Sequence, residues 1–314
     1  MSTRSARRCT PRSGPAGSVR ACLTTVRVGG PAEWLLETRS ADEISTALGL
    51  AARSGVPVTL LGGGSNVLIA DAGVRGLVVR PRGGATRLVD VASGSLRVVR
   101  ADAAVTINGL VRWTINHGLG GLEAWAGTPG TVGGALFGNA HFGGALIGSR
   151  VVGARLATRQ GLASDVNASQ MGFGYDRSRL QQTEEVLLSA DFRVSPSVDP
   201  AALRAVARRS LAFRKRTQPL DTPSAGCIFQ NPQPGRDTLP EGMPWSAGAL
   251  VDRAGLKGAA VGDARVSLTH GNFIVNEGAA SAADIRRLVE RCKTAVRERF
   301  GVELREEVVY LGEW

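Results

Sequence analysis

Two glycine-rich segments have the residue types and spacing to bind a phosphate-bearing ligand. In Leu60-Leu61-Gly62-Gly63-Gly64-Ser65-Asn66-Val67, three glycines precede two small polar residues. Such a turn aims several backbone N–H groups one way, a nest suited to phosphate. A tight hairpin that simply needs glycine has the same composition. The segment is neither a Gly-x-Gly-x-x-Gly fingerprint nor a P-loop, because no Lys-Ser/Thr follows and the next element reads as a strand. The second run, residues 125–140, looks loop-like and packs Gly127, Gly130, Gly133, Gly134 and Gly138 with Thr128 and Thr131. Two such nests fit one extended dinucleotide lying between two small α/β units.

The remaining reactive side chains are few. Cys9, Cys22, Cys227 and Cys292 have no CxxC or metal-ligand spacing, and only His117, His141 and His270 accompany them, so no metal site is expected. Four scattered cysteines suit a reducing compartment, and only Cys227 lies in a context that looks chemical. The net charge of +11 draws five of its positive charges from Arg4, Arg7, Arg8, Arg12 and Arg20. A basic surface serves nucleic acid or a polyanionic small molecule. Aromatics are 5% and no nucleic-acid motif is present, which favours the small molecule. No apolar run reaches the roughly 18–20 residues that cross a bilayer. The acid-free start, rich in Ser, Arg, Pro and Gly, reads as a disordered basic tail over residues 1–20, with a transit peptide as the alternative.

The elements that must position these residues follow from periodicity and turn chemistry. Residues 25–28 and 34–36 read as short strands. Ser40, with Glu43 three positions on, forms a capping box for a helix that Gly55 ends. Strands at 58–61, 67–69 and 77–79 complete a small α/β unit. Strands at 96–101, 151–158 and 186–194 surround a helix at 106–116. A helix over 199–216 carries a basic, solvated face. A strand begins at Cys227, helices span 247–254 and 281–300, and strands lie at 273–276 and 302–311. Strands outnumber helices, which indicates an α+β chain.

Gly-Gly-Gly-Ser-Asn followed by Ala-Gly-Thr-Pro-Gly-Thr-Val-Gly-Gly resembles the UDP-N-acetylenolpyruvoylglucosamine reductases, of the vanillyl-alcohol-oxidase-like (PCMH-type) FAD-binding fold. Further segments are similar in order: Thr25-Val-Arg-Val-Gly-Gly-Pro-Ala, Phe173-Gly-Tyr175-Asp176-Arg177-Ser178, Pro223-Ser-Ala-Gly-Cys227-Ile-Phe-Gln-Asn231-Pro, Ala254-Gly-Leu-Lys257-Gly, Val266-Ser-x-x-His270-Gly-Asn272-Phe-Ile-Val-Asn276 and Glu303-Leu-Arg-Glu-Glu307-Val. The resemblance implies two FAD-binding α/β subdomains, residues 21–83 and 84–198, and a C-terminal α+β substrate domain, residues 199–314. It implies FAD held by Gly62, Gly63, Gly64, Ser65, Asn66, Val67, Ala126, Gly127, Thr128, Gly130, Thr131, Gly133, Gly134 and Asn139. The chemistry the resemblance implies is reduction of the flavin by NADPH, hydride transfer from its N5 to C3 of the enolpyruvyl group, and protonation at C2.

Cys227 stands at the proton-donor position, where a thiol, with an ordinary pKa of about 8.5, is a better acid than an alcohol; a compact buried residue is the alternative. Glu307 matches the catalytic glutamate, and strand alternation sets it apart from Glu306. The signature arginine is out of register: Asp176 follows Tyr175, with Arg177 next and Arg179 nearby. Tyr175, Arg214, Asn231, Lys257 and Asn272 are the implied substrate contacts. Gln230 replaces a usual lysine, and His270 reads as a satisfied loop histidine. The short spacing from Tyr175 to Arg214 implies the branch without an extra insertion. A cytoplasmic monomer acting on a UDP-sugar is expected, with no nucleic-acid or membrane partner. Two alternatives remain: an FAD oxidase, with His117 or His141 as a flavin attachment, or a weakened homologue, given Asp176 and Gln230.

Overall fold

The computed structural model describes residues 7–8, 23–89, 97–196 and 199–314. Apart from Arg7–Arg8, the basic start lies outside the described residues, as do Cys9, Cys22 and Leu96. The chain forms two compact units, each discontinuous in sequence. One gathers Met1–Arg8, Trp34–Gly63 and Gly76–Phe213; the other gathers Cys9–Glu33, Gly64–Arg75 and Arg214–Trp314. The contiguous segments expected from sequence do not coincide with these units, because residues 23–33 and 64–75 join the C-terminal part.

In the first unit, the larger sheet runs in the order Ala163–Asn167, Val151–Ala157, Val186–Pro196, Arg97–Asp102, Thr86–Val89, all antiparallel. Val186–Pro196 is central, and its first five residues are all buried. A strand covered on both faces reads as a continuous apolar run rather than an alternating one. The helices Ile107–Asn116 and Val132–Phe137 join this core through Ile107, Leu110, Val132 and Leu136, packed with Phe192 and Trp125. Each is capped by a threonine: Thr106 Oγ1 accepts from Gly109 N at 3.0 Å and Thr131 Oγ1 from Gly134 N at 3.3 Å. A smaller sheet pairs Val58–Leu60 in parallel with Val74–Pro81, which neighbours Ala32–Thr38.

The second unit has an antiparallel sheet ordered Ser224–Cys227, Phe273–Asn276, Ala264–Val266, Ala260–Val261. The helix Ala282–Phe300 buries Ile285, Leu288, Val289, Cys292 and Val296 in the same core as Ile274 and Val266. Its ends are defined chemically. Ser281 and Asp284 close a capping box, and Gly301 takes the left-handed conformation, φ +68°. Val67–Ile69 pairs in parallel with Val309–Leu311.

Four local expectations are corrected. Residues 25–28 form no strand: they turn through Arg27 at φ +58°, while Val26 and Val28 enter the second unit's core. The capping box at Ser40 is half formed, since Glu43 Oε2 accepts from Arg39 N instead of the cap residue. The second glycine run is not all loop, because residues 132–137 are helical. Residues 302–308 are not a regular strand; only Val309–Leu311 and a bridge between Phe229 and Glu306 are paired. Alternation therefore does not apply at Glu307.

Candidate active site

The first unit brings parts of both glycine segments into backbone contact. A Cβ on Gly62 would lie 2.8 Å from Thr131 Oγ1, and one on Gly63 would lie 2.7 Å from Gly130 Cα. These two glycines are therefore required by chain–chain approach. The backbone N–H groups of Gly62, Gly63, Gly64, Ser65 and Asn66 donate to no acceptor among the described residues, so this loop retains donors for an anionic ligand. The second segment differs. Gly127 N donates to Asn108 Oδ1 at 2.6 Å, Thr128 N to Trp125 O, Val132 N to Val105 O, Gly133 N to Ala103 O and Gly134 N to Thr131 Oγ1. Its glycines serve packing more than a phosphate nest. Asn139, fully buried, bridges Gly148 N at 2.8 Å and Gly174 O at 2.7 Å. Its amide shapes the segment from within, and Ala126, earlier in the segment, is also buried.

The tyrosine signature is a tight hairpin in the same unit. Gly174 and Arg177 exchange backbone hydrogen bonds of 3.0 and 3.2 Å, with Tyr175 and Asp176 at the tip. Asp176 is buried, and its Oδ1 lies 3.2 Å from His141 Nδ1. Arg177 is exposed, with its guanidinium over Gly174. Arg179 forms a two-point pair with Glu185 at 2.6 and 3.1 Å. That hydrogen bond, above all, holds the Glu185 carboxyl below the usual range.

Cys227 ends the strand Ser224–Cys227, whose register on Phe273–Asn276 breaks at a bulge. Gly226 supplies the bend at φ +82°, a conformation that side chains disfavour, and Ser65 O lies 3.7 Å from where its Cβ would be. Thr25 Oγ1 anchors the strand's start by donating to Ser224 O at 2.7 Å. Arg214, in the last turn of Pro200–Thr217, is 6% exposed. Burial pushes its guanidinium down to about 10, and attraction to the Cys227 sulfur partly opposes that. A nearly enclosed cation therefore accompanies the thiol.

Glu307 is held next to Cys227 in the fold. Its N–H donates to Ile228 O at 2.8 Å, and its carbonyl accepts from Asn66 Nδ2 at 3.1 Å. The other two glutamates have cationic partners: Glu306 binds Lys293 Nζ at 2.7 Å, and the exposed Glu303 faces Arg297 at 3.9 Å. Asn272 is also buried, and its amide satisfies both backbone groups of Phe229, at 2.8 and 2.7 Å. It braces the chain beyond Cys227 from inside. Asn231 Oδ1 accepts from Ala247 N at 3.0 Å, at the start of the helix Ala247–Arg253, and Lys257 pairs with Asp252 at 2.8 Å. His270 Nδ1 accepts from Asn272 N at 3.2 Å, and burial, aided by Lys257, lowers its proton affinity. Among the described residues, no cluster of His, Cys, Asp or Glu has metal-site geometry and no helix is long and apolar enough to cross a membrane.

Sequence reasoning did not find the Arg214–Cys227 pairing, the Asn66–Glu307 tie or the His141–Asp176 contact. Asn66 and Glu307 are far apart in the chain, Arg214 and Cys227 lie on different elements, and no spacing rule announces any of the three contacts.

Residues 32–167 match the FAD binding domain family, and residues 218–311 match the C-terminal domain of UDP-N-acetylenolpyruvoylglucosamine reductase. The chain is 40% identical to UDP-N-acetylenolpyruvoylglucosamine reductase 2 of Symbiobacterium thermophilum over 92% of its length and 89% of that protein. It is 39% identical to the UDP-N-acetylenolpyruvoylglucosamine reductase of Gloeobacter violaceus over 93% of its length and 94% of that protein. The crystal structure of UDP-N-acetylenolpyruvylglucosamine reductase from Thermus caldophilus superposes with a TM-score of 0.74 at 32% identity, covering 93% of this chain and 96% of that one. With both halves matched in order and the fold shared along nearly the whole length, the chain belongs to the UDP-N-acetylenolpyruvoylglucosamine reductase family.

Proposed function

We propose that this protein reduces UDP-N-acetylenolpyruvoylglucosamine to UDP-N-acetylmuramate with FAD and NADPH, as a cytoplasmic monomer. Two observations support the assignment of roles: Cys227 shares its surroundings with the enclosed guanidinium of Arg214, and the Glu307 N–H donates to the carbonyl of Ile228, the residue that follows Cys227. The Gly62–Val67 loop and the Ala126–Gly134 segment would hold FAD, which, once reduced by NADPH, would supply the hydride that C3 of the enolpyruvyl group takes.

The chain's own residues do the rest. Hydride addition at C3 puts negative charge on C2 and the substrate carboxylate. Cys227 Sγ–H delivers the proton to C2, leaving a thiolate that the Arg214 cation stabilises. Because Arg214 is buried, its charge is less screened than that of a surface arginine. Glu307, fixed through its backbone, completes the acid–base set, and Tyr175, Asn231 and Lys257 orient the substrate. Asn272 acts indirectly, by holding the chain that follows Cys227.

The test separates the half-reactions by stopped flow. In Cys227→Ala, NADPH bleaches the flavin at the wild-type rate, while reoxidation by the enolpyruvyl substrate slows by at least 10²-fold, the range for loss of a general acid. Wild-type reoxidation in this variant would remove Cys227 from the mechanism. Oxygen-driven turnover of an alcohol by the wild type supports an oxidase instead, and flavin-loaded but inert protein supports the weakened homologue.

A further inference from the structure

The turn over residues 267–273 carries an imidazole whose proton the backbone places. Ser267 N donates to Phe273 O at 2.8 Å and Phe273 N to His270 O at 3.0 Å, which closes the turn ahead of the strand Phe273–Asn276. Inside it, Asn272 N donates to His270 Nδ1 at 3.2 Å. A backbone amide only donates, so Nδ1 offers its lone pair and the one proton of the neutral ring stands on Nε2. The ring is packed in place. A Cβ on Gly248 would lie 3.0 Å from His270 Cε1, and the Phe273 ring centroid is 5.0 Å from that of His270.

Asn272 is the residue on which the chain beyond Cys227 hangs. It is 3% exposed; its carbonyl accepts from Ile228 N at 2.9 Å, Oδ1 accepts from Phe229 N at 2.8 Å, and Nδ2 donates to Phe229 O at 2.7 Å. Cys227 itself pairs with Phe273, the residue after Asn272. The N–H of Asn272 is what His270 takes. Only Nδ1 can accept a second proton, and with one there two donors face each other at hydrogen-bond distance, so the turn must open to relieve them. Burial, and after it the charge of Lys257, already lower the proton affinity of the ring. The other charged groups on the elements around it are engaged elsewhere. Asp252 pairs with Lys257 and Arg265 with Glu277, both at 2.8 Å, and Arg253 Nη1 donates to Gly242 O at 3.0 Å. Among the described residues, no carboxylate pairs with His270 to favour its cation.

We propose that His270 is a positioning residue for Cys227: as a neutral imidazole it accepts the Asn272 N–H and so holds the strand that presents the thiol, and on gaining a proton at Nδ1 it releases that strand. The inference rests on the reductase reading above. His270 makes no bond to substrate in this role, and the proton for C2 still comes from Cys227. The sign follows from a base that must stay neutral. Positioning is complete at high pH and is lost as pH falls, with a midpoint below the ordinary histidine value of about 6.5.

The test follows substrate-driven reoxidation of the reduced, FAD-loaded enzyme in stopped flow from about pH 4 to 8. In the wild type the rate is expected to fall at least 10-fold at the acid end, the scale for a displaced catalytic group. His270→Asn puts an amide oxygen at the Nδ1 position, an acceptor that does not titrate. It should match the wild type at about pH 8 and lose the acid limb. His270→Gln puts its amide at the Nε2 position instead and should be at least 10-fold slow throughout. An acid limb unchanged in His270→Asn overturns the inference. So does wild-type turnover in His270→Gln beside a slow His270→Asn, because that pattern assigns the role to Nε2. An active wild type without the limb also overturns it and spares the reductase reading, whereas a wild type that substrate never reoxidises overturns both. Should the variants not fold, ¹⁵N NMR of the histidine rings in the wild-type enzyme at about pH 8 decides: a proton on His270 Nε2 and none on Nδ1 is expected, and a protonated Nδ1 refutes the proposal.

Discussion

Arg214→Met separates stability from chemistry. The guanidinium is 6% exposed, and its Nε has no hydrogen-bond partner among the described residues. Burial, countered in part by Cys227, lowers it from 12.5 to about 10. That drop corresponds to about 3 kcal/mol by which the fold disfavours the charged form. The sign follows for a base with depressed proton affinity. The penalty is fully present below about pH 10 and disappears only as pH rises toward the unfolded value. Methionine fills a similar volume without a charge to desolvate. Other contacts of Arg214 are lost with it, so the net expectation is a gain of about 1–2 kcal/mol, read as an increase of roughly 2–8 °C in Tm at matched FAD concentration. The same variant loses the cation beside the Cys227 thiolate, and substrate-driven flavin reoxidation should slow by at least 10²-fold. If Arg214→Met unfolds more readily than wild type by more than about 1 kcal/mol, the burial argument is wrong, and the guanidinium is a net structural asset.

Three further substitutions probe the frame around the site. Asn272→Ala leaves the Phe229 N–H and carbonyl without partners; urea unfolding should show a loss of about 2–4 kcal/mol, and a change within about 0.5 kcal/mol refutes the bracing role. Gly63→Ala puts a methyl 2.7 Å from Gly130 Cα, so the glycine segments must part; FAD titration should show affinity at least 10-fold weaker. Asp237 is disfavoured as an anion by burial, but Gln233 N, Arg305 and Arg236 outweigh that and hold it at about 2. Its folded-state value lies below the unfolded one, so its contribution is present above about pH 4 and is lost as pH falls toward 2. Solvent screening limits the effect to on the order of 1 kcal/mol, and Asp237→Asn should remove that part of the acid limb in pH-dependent unfolding.

The long elements were legible because their signals are local. Ser281, Gly301 and the apolar stripe between them announce Ala282–Phe300, and Thr106 announces Ile107–Asn116. The short ones were not. Val26 and Val28 alternate like a strand, but they are buried by tertiary contacts while the backbone turns through Arg27. Residues 302–308 alternate as well, yet single hydrogen bonds to Ile228 and Gln230 position them in place of a ladder. The glycines were ambiguous for a physical reason. A missing Cβ permits approach by a ligand or by another stretch of backbone, and only coordinates distinguish Gly63 against Gly130 from the donor-rich loop that follows.

The same limit governs the catalytic residues. A motif fixes which residue type stands where, but the charge around it comes from distant segments. Cys227 was found by its place in the proton-donor strand, whereas Arg214, expected as a substrate contact and not as a partner of the thiol, lies at the end of a helix whose basic face read as solvated. That helix's basic residues include Arg204, Arg208 and Arg209, which share its charge but none of Arg214's burial. Burial is what converts an ordinary arginine into one able to hold a thiolate, because screening falls as water is removed. A departure from motif such as Asp176 is therefore weak grounds for lost function until its surroundings are known. Here they contain a histidine in contact with the carboxylate and a second carboxylate oxygen still without a partner.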